Sequence, residues 1–119
     1  MNTQEKIVVL KAARKLIEKP EHWGSRSFAL DDKDLPVPVS DKRAVCFCSA
    51  GAIMRAVGDT RTMCAAYPAV EELAVGLPDG ECTLPQTKVY EWNDYVATHE
   101  QVLAQFDATI ARLELSLTP

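Results

Sequence analysis

Four side chains in this sequence have the types a thiol hydrolase or transferase needs: Cys48 as nucleophile, His99 as base, and Asn93 or Asp94 to orient the histidine. A thiol attacks only as the thiolate, and a helix N-terminus or a neighbouring imidazole is what lowers its pKa. Helical periodicity places Cys48 about two turns inside a helix that starts near Ser40 or Asp41, past the reach of the helix dipole. Cys46 lies nearer the start but still beyond the first turn. Packing as buried thiols therefore outweighs catalysis for both, and the chain reads as leaning away from an enzyme.

The same cysteines offer little to a metal. Residues two apart on a helix point about 200° away from each other, so Cys46 and Cys48 would not converge on one ion. Cys64, Cys82, His22 and His99 each stand singly, without the paired spacing of a zinc site. No metal and no cofactor is expected. Phosphate-cradling loops, dinucleotide fingerprints and nucleophile elbows are likewise absent from the sequence.

Two binding candidates remain. Trp92, Asn93 and Asp94 combine a large amphipathic ring, an amide and a carboxylate in an expected loop, which suits a contact surface. The plainer reading is that Asn93 or Asp94 caps a turn while Trp92 closes the core. Arg43, Arg55 and Arg61 gather near the second helix, and a guanidinium can grip a carboxylate or phosphate bidentately. Solvated or paired arginine is the commoner case. His99 is expected to serve as a first-turn helix residue bonded to backbone.

The elements that position these residues follow from caps and breakers. Asn2 and Glu5 form a capping box for a first helix over about 3–19, closed by Pro20. Ser25–Leu30 and Leu35–Val39 flank the polar tip Asp31–Asp34, which predicts a short hairpin or a structured loop. A second helix runs from Ser40 or Asp41 to Gly58, and a third from Thr60 to Val75 with a bend or break at Pro68. Gly76 to Gln86 is rich in turn residues, with Val89 and Tyr90 as a brief extended piece. Thr98 and Gln101 form a second capping box for a fourth helix over about 99–116. The expectation is mainly α: a compact four-helix single domain with a small β-hairpin or loop excursion after helix 1, its core built from helices 1, 2 and 4.

Composition sets the outer limits. The 119 residues suit one domain, and 47% hydrophobic with 25% charged residues is the mix of a folded globular chain. A net charge of −4 argues against a general nucleic-acid surface. No run approaches the roughly 20 apolar residues of a membrane span. The opening Met1–Lys6 lacks a basic start and Ile7–Leu10 is too short for a signal core, so a cytoplasmic location with reduced thiols is expected.

Ala13–Ile17 with Pro20 and Trp23, Arg43–Val45 with Cys48–Ile53, Trp92–Asp94, and His99 with Val102, Phe106, Asp107 and Ile110 together resemble an uncharacterised small-domain family of bacteria and phages. The likeness spans most of the chain, although Phe47 stands where that pattern has Trp. The resemblance implies a bacterial or phage context and transfers no functional residue. The leading expectation is a non-catalytic binding or regulatory protein acting through protein contacts, a homodimer among them. The cysteine enzyme and a small-ligand or anion binder using Arg43 and Arg55 are the alternatives.

Overall fold

A computed structural model describes residues 1–58, 63–80 and 83–118. Asn2 accepts the Glu5 N–H at 2.8 Å and the Glu5 side chain answers the Asn2 N–H at 3.4 Å, which satisfies two donors that a helix start leaves free. Helix α1 (Thr3–Leu16) follows, burying Ile7, Leu10 and Ala13, with Ile17 as its cap. It ends short of the expected 19, and Pro20 opens a single 3₁₀ turn over Pro20–His22.

Strand β1 (Ala29–Leu30) pairs antiparallel with strand β2 (Cys46–Phe47), in the register Ala29 with Phe47 and Leu30 with Cys46. The expected excursion after helix 1 is a tight turn closed by a single bridge, with no second strand over residues 35–39; the strand that pairs with β1 comes from Cys46–Phe47 instead. Asp31 N donates to Leu35 O at 2.9 Å, Leu30 bridges Pro36, and Asp31 Oδ1 accepts from Lys33 N and Leu35 N at 2.8 and 3.0 Å.

Helix α2 (Ser49–Val57) starts well after the expected Ser40 or Asp41. Asp41 forms a turn instead, accepting Arg43 N at 2.8 Å, and the apolar run that follows enters the sheet. Such a run fits a buried strand as well as a helix, and pairing with β1 decides for the strand. Gly58 closes α2 at φ +79, the left-handed stop the sequence indicated.

Helix α3 (Met63–Ala74) carries Pro68 inside it without a break, so of the expected bend or break the break does not occur. Thr60, its expected first residue, lies outside the described residues. Helix α4 (Pro85–Glu91) replaces the extended piece expected at Val89 and Tyr90, and Pro85 sits at its first turn, where a missing N–H costs nothing. A wider π-turn, Trp92–Val96, continues from it. Helix α5 (His99–Ser116) spans the range expected for the fourth helix, with the Thr98 and Gln101 box in place. The described residues thus hold five helices rather than four.

Phe106, Leu10, Ile17, Ile53, Leu73 and Val70 are the largest apolar side chains fully removed from solvent. They come from α1, α2, α3 and α5, so α3 joins the expected three helices in the core. Among the described residues no helix is long and apolar enough to cross a membrane.

Candidate functional site

Asn93, on the π-turn, is only 2% exposed, and a buried amide must find partners or lose its hydration unrepaid. Its Oδ1 accepts from Trp23 Nε1 at 2.9 Å, from Ser49 N at 2.9 Å and from the Ser49 hydroxyl. Its Nδ2 donates to Gly24 O at 3.1 Å and to Asp94 Oδ1 at 3.0 Å. One side chain therefore ties together the segment after α1, the start of α2 and the turn after α4.

Asp94 extends this network. Its Oδ1 also accepts Arg26 N at 2.9 Å, and Arg26 holds the left-handed φ of +70 that non-glycine residues rarely adopt. The carboxylate and the amide hydrogen bond hold the turn in that conformation.

Cys48 is the N-cap of α2, a correction to its expected place two turns inside a helix. Its Sγ accepts the Gly51 N–H at 3.3 Å, in the role a serine or aspartate side chain usually fills. Burial pushes the thiol up to about 11, against the opposing pull of the Gly51 N–H, and the nearby Asp94 charge acts in the same direction as burial. A thiol so placed stays protonated at neutral pH.

His99 sits elsewhere. Its Nε2 lies 2.6 Å from Ile17 O, and since a carbonyl can only accept, that nitrogen carries the proton. The ring tilts against Trp23 with centroids 5.7 Å apart. No hydrogen bond joins His99 to Cys48 or to Asn93 among the described residues. Asn93 orients Trp23 and Ser49 instead.

The remaining candidates are spread out. Trp92 is 9% exposed and packs in the core, so its ring is not presented as a contact surface. Arg43 grips Asp41 through Nε and Nη2 at 3.1 and 2.8 Å, which holds the Asp41 carboxyl down at about 2. Arg55 donates through Nη1 to the Val39 and Asp41 carbonyls and stacks over Phe47. The two arginines thus serve local backbone and side-chain partners rather than one shared anion site. Arg61 and Cys82 lie outside the described residues. Cys46 is buried, Cys64 is exposed, and neither forms a disulfide with Cys48. Among the described residues no group of three or more His, Cys, Asp or Glu is placed to hold a metal ion.

A cavity of about 430 Å³ opens beside this network. Phe28, Ala29, Pro36, Val37 and Tyr90 form its apolar walls; Arg26, Ser27, Cys48 and Asp94 supply its polar groups. Phe28 and Tyr90 meet edge to face, with centroids 5.6 Å apart at 64°. Burial raises the Tyr90 hydroxyl, so it too stays neutral. Sequence reasoning found Cys48 and Asp94 but missed Phe28, Tyr90, Trp23 and Ser49. The Asn93–Asp94 pair was the available signal, since two adjacent polar residues after an apolar helix face ask for partners.

These features define a small, mainly helical protein with a sheet-walled cavity at the start of a central helix. The chain belongs to a family of unknown function, DUF6197, which matches residues 1–112. No curated protein and no solved structure matches it.

Proposed function

We propose that the protein is a non-catalytic binding domain for a small molecule, seated in the cavity between the turn after β1, the start of α2 and α4. The observation that carries this reading is the cavity itself: about 430 Å³, within the ordinary range of ligand sites, with apolar walls and a few convergent polar groups. The buried Asn93 network supports it, because it fixes the elements that line the cavity before any ligand arrives. The protonated Cys48 and the engaged His99 weigh for binding over thiol chemistry.

A fragment screen read by amide NMR tests the proposal. Binders should shift the signals of Ala29, Val37, Cys48 and Tyr90, and Val37→Trp, which fills the space, should abolish those shifts. Binders that ignore Val37→Trp, or a screen with no shifts at these residues, would remove the reading.

One observation favours protein contact as a second reading. Tyr95 and Val96 are 71% and 63% exposed side by side on the π-turn, among the most exposed large apolar side chains of the described residues. Self-association through this turn predicts that Tyr95→Glu shifts a dimer to monomer in sedimentation; a wild type monomeric at high concentration rejects it.

A further inference from the structure

We infer that the cavity selects a small organic cation, an ammonium head carried on an apolar body the size of one ring. This rests on the ligand-binding reading above and adds the sign of the charge. Asp94 lines the cavity half-buried, and only its Oδ1 is engaged, by the neutral amides of Arg26 N and Asn93 Nδ2. Among the described residues its Oδ2 has no hydrogen bond or ion pair. A partly desolvated carboxylate with a vacant oxygen favours a cationic donor, and such charge-assisted bonds are among the stronger ones.

An anion meets the opposite situation. The natural place for one is the start of α2, where free backbone N–H groups would point at it. That place is filled from within: Ser49 N donates to Asn93 Oδ1 and Gly51 N to Cys48 Sγ. The aromatic corner of Phe28 and Tyr90 adds ring faces that attract a positive head. Among the described residues Arg26 is the one opposing charge on the lining, and its guanidinium sits exposed, 5.5 Å over the Tyr95 ring, where solvent and salt screen it.

Three probes of matched shape separate the possibilities: 2-phenylethylamine, 2-phenylethanol and phenylacetate, each titrated against the full chain by amide NMR. The amine is expected to bind about tenfold tighter than the alcohol, the scale of one charge-assisted hydrogen bond, with the acid weakest. Asp94→Asn keeps the Oδ1 acceptor for Arg26 N and should reduce the amine to the affinity of the alcohol. Arg26→Gln should leave the advantage of the amine over the alcohol within about twofold of wild type, and its loss would overturn the proposal, an arm that stands even where Asp94→Asn folds poorly. Equal binding of all three at Ala29 and Tyr90 overturns the charge selectivity and leaves the ligand site intact. Tightest binding of phenylacetate overturns it in favour of Arg26. No shift at the cavity with any probe overturns the cation proposal together with the ligand site.

Discussion

Helices α5 and α2 begin in opposite ways. The start of α5 is closed by its own turn: Thr98 accepts Gln101 N at 3.2 Å and the Gln101 side chain answers Thr98 N at 2.9 Å. The start of α2 is closed from a distance, by Asn93 on Ser49 and by the Phe28 carbonyl on Cys48 N, with only the Cys48 thiol supplied locally. A local cap specifies a helix. A long-range cap specifies how separate pieces of chain meet, and here those pieces are the walls of the cavity.

Breaking the close approach at α2 should cost most. A Cβ at Gly51 would lie 1.8 Å from the Phe28 carbonyl oxygen, a backbone atom of the neighbouring segment that cannot rotate aside. Gly51→Ala is expected to lower unfolding free energy by about 3 kcal/mol or more in urea titration, because the α2 start and β1 must separate. A loss under about 1 kcal/mol would show that the two segments part easily and that the cavity wall is soft.

Removing the long-range cap comes next. Asn93→Ala strands the Ser49 N–H and the Trp23 indole N–H without an acceptor, an expected loss of about 3 kcal/mol. Trp23→Phe removes one of the same bonds, so the double variant should fall short of the sum by about 1 kcal/mol. Strict additivity would mean the two residues do not act through their shared bond.

The Cys48 cap makes the same region sensitive to alkali. Its folded value of about 11 lies above the ordinary 9.0, so the folded chain holds the proton more tightly than the unfolded one. The resulting stability is full below pH 9 and is lost as pH rises from 9 towards 11, by roughly 2 kcal/mol. Cys48→Ala should flatten this alkaline fall relative to wild type, leaving the smaller contributions of Cys46 and Tyr90, whose values burial also raises. An unchanged slope would place the alkaline sensitivity outside Cys48.

The same contrast explains what the sequence made legible. Both local capping boxes, the Gly58 stop and the range of α5 were readable, because each depends on residues within one turn. The start of α2 was not, because Ala44 to Cys48 is an uninterrupted apolar run whose strand state is set by Ala29 and Leu30 across the sheet. Pro85 is a start signal hidden among turn residues, so the sequence over α4 reads as loop and extended piece. Cys48, Asn93 and Asp94 stand out in the sequence, as buried thiol or weak catalytic set and, with Trp92, as a contact surface or turn cap; the fold joins Asn93 to Asp94 and to the residue after Cys48, while His99 bonds to Ile17 O. The Asn93 partners Trp23 and Ser49 lie 70 and 44 residues from it, and the Phe28 carbonyl that accepts Cys48 N is likewise far outside one turn, where no spacing rule reaches.

The smallest effect should come from the local cap. Thr98→Ala removes one exposed acceptor from the first turn of α5, at an expected cost of about 1 kcal/mol, with faster amide exchange confined to that turn. His99 in that turn does touch Trp23, which is bonded to Asn93, so the two helix starts are connected through that ring as well as along the chain from the π-turn into Thr98. If the contrast between them holds, Thr98→Ala and Asn93→Ala add within about 0.5 kcal/mol. Coupling well above that would mean the His99 ring carries strain from one start to the other, and the α5 cap would then belong to the network around the cavity.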